Sequence, residues 1–142
     1  MKIGIVGLGH MGSRMALRLL KGGHHCVVYR SRRESAVELE AAGAVVASSL
    51  QNLVDQLERP RAIWVIQPTG IIQATVRELL PLLSPADMLI DGGNSYGYSA
   101  ARRELALGAR GILHIDVEMR PAGSGRRRSR QQGLVAVASS NR

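Results

Sequence analysis

The chain is poor in several things that would each point to a function. It has 142 residues with one cysteine, two lysines, no phenylalanine and an aromatic content of 3%. A lone Cys26 inside an apolar run excludes an internal disulfide and reads as a small buried hydrophobe. No apolar run reaches the length of a bilayer span, and the N-terminus lacks the basic, apolar, small-residue order of a signal peptide, so no membrane partner and a cytoplasmic location are expected. His10, His24, His25 and His114 have no metal-ligand spacing with one another or with Cys26. No metal site is expected, and these histidines are read as surface or turn residues, except that His10 falls within the glycine motif described below.

The net charge of +8 is unevenly placed. Residues 1–117 carry 13 Lys or Arg against 10 Asp or Glu, whereas residues 118–142 carry six arginines and one acid, Glu118. The body is therefore nearly neutral and the excess lies in a tail with Arg126-Arg127-Arg128-Ser129-Arg130. Charge speaks to partners rather than fold. A tail so rich in Arg, Gly, Ser and Ala buries little apolar surface and is expected to be disordered, apart from a weak strand at Leu134 to Val137. It has no aromatic side chains on which bases would stack, so nucleic acid is not the expected partner; a basic nucleic-acid-binding arm stands as the rival reading.

What is present begins at the first residue. Lys2 to Val6 is a β-branched apolar run, followed by Gly7-Leu8-Gly9-His10-Met11-Gly12 and an apolar-periodic segment through Met15, Leu19 and Leu20. That order is strand, tight turn, helix. In it Gly7 permits the turn, Gly9 admits a pyrophosphate close to the backbone, and Gly12 lets the helix pack on the strand. The diphosphate would rest on unpaired N–H groups at the positive end of the helix.

A second strand, His25 to Tyr29, ends at Arg30-Ser31-Arg32-Arg33 with no carboxylate before Glu34. A carboxylate there would accept from the ribose 2′-hydroxyl of NAD. Guanidinium groups instead bind a 2′-phosphate, so NADP is expected over NAD. Ser31 and Glu34 also form a capping box for a helix over 33–42.

The βα alternation continues with a short strand at Ala44 to Ala47, a helix through Leu50 to Leu57, and a strand at Ala62 to Ile66. Next come a loop Gln67-Pro68-Thr69-Gly70, a helix Ile71 to Leu83 and a strand Met88 to Ile90 running into Asp91-Gly92-Gly93-Asn94-Ser95. A helix from Ala100 to Leu107 and a strand from Gly111 to Val117 complete it. This predicts an α/β, doubly wound, mainly parallel sheet with helices on both faces. The domain is expected to span residues 1–117, with 118–142 as the tail.

With the glycines, the arginine cluster and Asp91 to Ser95 in view, the chain resembles the nucleotide-binding domain of 6-phosphogluconate dehydrogenase, within the β-hydroxyacid dehydrogenases. The resemblance implies a Rossmann-like fold and a cofactor site at Gly7, Leu8, Gly9, His10, Met11 and Gly12, with Arg30, Ser31 and Arg32 on the adenosine end. It also implies contacts from Pro68, Thr69 and Gly70, although the family usually has Val-Lys or Val-Pro where this chain has Gln67-Pro68. Asn94 would stand between the nicotinamide and a sugar-acid phosphate substrate. The implied reaction is NADP-dependent oxidative decarboxylation of 6-phosphogluconate to ribulose 5-phosphate, in the pentose phosphate pathway.

The same resemblance implies a catalytic lysine and glutamate on a helix beyond the sixth strand, inside a helical domain absent from this sequence. Lys2 and Lys21 belong at the opposite sheet edge, and where the family's Ser-Gly-Gly substrate loop belongs the chain has Arg120-Pro121-Ala122. No catalytic residue is assigned. The expectation is therefore a truncated domain, inactive alone, whose tail reads as a frameshifted continuation; the alternative is a non-catalytic NADP-binding or interaction module.

Overall fold

The computed structural model describes residues 1–30, 36–92, 98–120 and 135–140. Six strands alternate with five helices: β1 (Lys2–Val6), α1 (His10–Lys21), β2 (His25–Tyr29), α2 (Val37–Ala41), β3 (Val45–Val46), α3 (Leu50–Asp55), β4 (Ala62–Val65), α4 (Thr69–Leu79), β5 (Met88–Asp91), α5 (Tyr98–Gly108) and β6 (Leu113–Arg120). A seventh strand, β7 (Val135–Ser140), follows. The sheet order is β3-β2-β1-β4-β5-β6-β7. Every pairing is parallel except β6 with β7. The order reverses between β1 and β4, and ligands of open α/β sheets bind at such a switch point. This is the Rossmann-like fold expected, and the described chain holds no large helical domain after it.

Strand alternation builds two apolar layers, one on each side of the sheet. Ile3, Ile5, Cys26 and Val28 pack with Ala16 of α1 and Leu39 of α2. Val6, Val27, Ile63, Val65 and Leu89 pack with Leu53 of α3, Ile72 of α4 and Leu107 of α5. Gly4 is where α3 comes closest, because a Cβ there would stand 2.8 Å from Leu53 Cδ2. Burial raises the Cys26 thiol's pKa, which keeps it protonated and inert within this layer.

Local signals hold at most element ends. Ser49 caps α3 by accepting from Asn52 N at 3.0 Å. Gly23 and Gly43 end α1 and α2 with φ of +86° and +106°, the left-handed backbone that glycine adopts without strain.

Three expectations are corrected. Thr69 and Gly70 are the first turn of α4, with Pro68 at its N-cap, because proline's fixed φ favours helix entry. The sheet does not stop at Val117: β6 runs to Arg120, and β7 lies antiparallel along it from Ile115↔Ser140 to Arg120↔Val135. The weak strand expected at Leu134 to Val137 stands in the described chain as Val135–Ser140, which satisfies the open edge of β6. His114 is not a surface residue. It is 4% exposed within β6.

Candidate functional site

The glycine turn is built as its spacing requires. Gly7 has φ +100°, and its N–H donates to Tyr29 O at 3.2 Å, tying the turn to the end of β2. A Cβ on Gly7 would strike the Ile66 carbonyl oxygen, and one on Gly12 would strike the Gly7 carbonyl oxygen. The helix, the turn and β4 thus meet at backbone distance. Gly9 is the N-cap of α1 and offers no side-chain cap. Intrahelical bonding begins with Ser13 N donating to Gly9 O at 3.0 Å, so the amides of His10, Met11 and Gly12 precede the first bonded one. No carboxylate lies in that first turn, and Arg18 and Lys21 lie in the last, so the helix keeps its positive end for an anion.

Beside this turn is a cleft of about 310 Å³ lined by Gly9, His10, Met11, Gly12, Ile66, Gln67, Pro68 and Gly92. Pro68, the N-cap of α4, also lines it. Gly92 is held there by its N–H, which donates to Val65 O at 2.8 Å and continues the β4–β5 pairing into the cleft. Four of the expected glycine-turn residues and Pro68 therefore converge. Leu8 is 4% exposed and packs into the core, so only its backbone belongs to the turn. Thr69 and Gly70 follow Pro68 as the first residues of α4. Arg30 is exposed one residue beyond the Val6↔Tyr29 pair, next to Gly7. Ser31, Arg32 and Asn94 lie outside the described residues.

Ile66, Gln67 and Gly92 line the cleft without having been assigned to it from the sequence. Gln67 is fixed by Thr75 of α4, whose Oγ1 donates to Gln67 Oε1 at 2.5 Å. The only advance signal was the departure of Gln67-Pro68 from the family pattern.

The other flank is a buried ionic cluster. Asp91, wholly buried at the end of β5, accepts from Arg103 Nε at 2.8 Å, and His114 Nε2 lies 3.4 Å from the same carboxylate oxygen. Arg103, 1% exposed on α5, also donates from Nη1 to Gln73 Oε1 of α4 at 3.2 Å. Three elements are thereby locked to the strand that carries Gly92 into the cleft. Asp116 is the β6 register partner of Asp91. Its pKa is raised, first by burial and next by the Asp91 charge, against the opposing charges of His114 and Arg103.

Neither lysine reaches this edge. Lys2 opens β1 opposite His25, and Lys21 closes α1, so both lie at the amino ends of the strands. No helix among the described residues is long and apolar enough to cross a membrane.

A family profile, the NAD binding domain of 6-phosphogluconate dehydrogenase, matches residues 2–140. The NAD(+)-dependent, decarboxylating 6-phosphogluconate dehydrogenase of Haloferax volcanii is 36% identical over 125 residues, 87% of this chain and 42% of that protein. The decarboxylating 6-phosphogluconate dehydrogenase of Synechococcus elongatus is 38% identical over 117 residues, 78% of this chain and 25% of that protein. Among solved structures, 3-hydroxyisobutyrate dehydrogenase of Mycobacterium tuberculosis with L-serine superposes with a TM-score of 0.73 at 24% identity, covering 84% of this chain and 40% of the other. That likeness speaks to the fold. The chain spans less than half the length of these relatives.

Proposed function

The chain belongs to the family of NAD-binding domains of 6-phosphogluconate dehydrogenase, and from that premise we propose that it is the NADP-binding domain of an oxidoreductase acting on a sugar-acid phosphate such as 6-phosphogluconate. The observation that carries the reading is the cleft at the β1–β4 switch point, walled by Gly9 to Gly12 at the uncapped N-terminus of α1, whose first-turn amides are left for a diphosphate. The first-turn amides of α1 hold the pyrophosphate. Arg30, with Ser31 and Arg32 beyond it, binds the 2′-phosphate, which favours NADP over NAD. Pro68 and Gly92 bound the space toward the nicotinamide, and Asn94, two residues past Gly92 in the sequence, orients nicotinamide against substrate.

Bound NADP supplies a hydride acceptor for oxidation of the sugar acid at C3, after which the β-keto acid loses CO2. The protein's part here is to fix the cofactor and keep the end of β5 in place. The proton-transfer groups are not among this domain's lysines, which sit at the far edge. Completion of the active site therefore falls to residues outside this unit, and the domain alone turns over no 6-phosphogluconate. A cytoplasmic location belongs to the same reading. That distant placement of both lysines also favours a second reading, a non-catalytic NADP-binding module.

Titration of the full chain with NADPH and NADH, alongside an assay of 6-phosphogluconate oxidation, tests the proposal. NADPH should bind at least about tenfold more tightly, a difference of roughly 1.4 kcal/mol. NADH binding as tightly refutes the role given to Arg30 and its neighbours. Turnover restored by a chain carrying the helical part of a relative selects the enzyme over the non-catalytic module.

A further inference from the structure

Gln67 stands in the cleft with one half of its side-chain amide engaged. It is half-buried at the end of β4 and its Cγ lies over Gly7, 3.0 Å from where a Cβ on that glycine would be. Its Oε1 accepts from the hydroxyl of Thr75, a residue 8% exposed one turn and more into α4. An amide offers an acceptor oxygen and two donor hydrogens on nitrogen. With the oxygen taken, Nε2 is the group left to the cleft, and among the described residues it has no hydrogen-bond partner. The surrounding wall holds no carboxylate, and on the side of α1 it presents the first-turn amides of an uncapped helix N-terminus. An anion placed there favours the amide orientation in which nitrogen faces it.

We propose that Gln67 is a dinucleotide-binding residue whose Nε2–H donates to an oxygen of the cofactor diphosphate, and that Thr75 is the positioning residue that holds the amide in that orientation. The inference rests on the reading of the cleft as a dinucleotide site and adds to it a side-chain donor in a place otherwise built from backbone. The valine that the family usually has at position 67 could not supply this bond, so Gln67 sets this chain apart from the family pattern.

The test is fluorescence titration of NADPH against the full chain and its Gln67→Val, Gln67→Glu, Thr75→Val and Thr75→Ser variants, with thermal unfolding of each in the absence of cofactor. A hydrogen bond to a charged acceptor corresponds to about a tenfold to hundredfold change in Kd. Gln67→Val should weaken NADPH by about that factor, with only a small drop in the unfolding midpoint of the free protein from the lost Thr75 bond. Gln67→Glu, which keeps the shape and turns the donor into a negative acceptor, should weaken it further. Thr75→Val should lose part of the affinity, and Thr75→Ser, which keeps the hydroxyl, should regain it. Wild-type affinity in both Gln67 variants overturns the proposal while the dinucleotide reading stands. Thr75→Val binding like wild type overturns the positioning role. Failure of the wild-type chain to bind NADPH overturns both readings together.

Discussion

The two flanks of the cleft are made from opposite materials. On the β1–α1 side the working parts are backbone: a glycine at φ +100°, a glycine that must touch its neighbour's carbonyl, and helix amides with no cap. On the β5–β6 side they are an ion pair sealed from water, Asp91 0% and Arg103 1% exposed, with the ring of His114 beside it at 4%. The difference teaches where each flank is vulnerable. A backbone site tolerates no added atom, and its failure should be read in ligand affinity. An ionic cluster tolerates no lost partner, and its failure should be read in folding, because an orphaned buried charge costs more than the pair ever contributes.

The comparison breaks most visibly at Arg103. Arg103→Leu takes the guanidinium from buried Asp91, leaving His114 beside the carboxylate, and should cost about 3–5 kcal/mol in urea unfolding. Replacing Asp91 as well, by Leu, should return a large part of that loss, since no buried carboxylate then lacks its guanidinium. Next comes Gly12→Ala, whose methyl has no space against the Gly7 carbonyl. It should move α1 and weaken NADPH by about a hundredfold, near 2.7 kcal/mol, with a smaller stability loss of about 1–3 kcal/mol from the forced shift. Gly12→Ala destabilising more than Arg103→Leu would dissolve the distinction between the flanks. Arg30→Glu should be smaller and selective, lowering the NADPH to NADH affinity ratio by about tenfold, or 1.4 kcal/mol, without altering the unfolding midpoint.

The smallest effect concerns pH and belongs to the ionic flank. The folded pKa of Asp116 lies above its unfolded value, so the folded state holds the proton more tightly. Its favourable contribution is present below the unfolded carboxylate pKa, about 3.9, and is lost as pH rises through the folded value. Asp116→Asn should flatten this fall in a stability-against-pH series and be at least as stable as wild type at neutral pH. A profile for Asp116→Asn that matches wild type across that window removes the burial argument for this carboxylate.

How much could be read from the sequence follows the same division. Gly7, Gly9 and Gly12 announce their task because the constraint on each is local: a turn, an approach, a packing contact within six residues of chain. The mainly parallel sheet follows from the alternation of periodicities, and Ser49 announces its cap. The Asp91 cluster is silent in the sequence because its partners are separated by 12 and 23 residues, and nothing about His114 in a strand distinguishes a buried partner of a carboxylate from a surface histidine. Gln67 and Thr75 are eight apart across a strand-to-helix turn and carry no motif. The edge strand β7 shows in its alternating valines as the weak strand expected at Leu134 to Val137, but its run to Ser140 and its pairing with β6 are a tertiary reward that composition does not record.

Amide resonances of the uniformly ¹⁵N-labelled full chain, followed while NADPH is added, test the central claim most directly. The account requires shifts at Gly9, His10, Met11, Gly12 and Gly92, with Lys2 and Lys21 at the far edge left unmoved. Shifts confined to that far edge, or none at saturating NADPH, would contradict it.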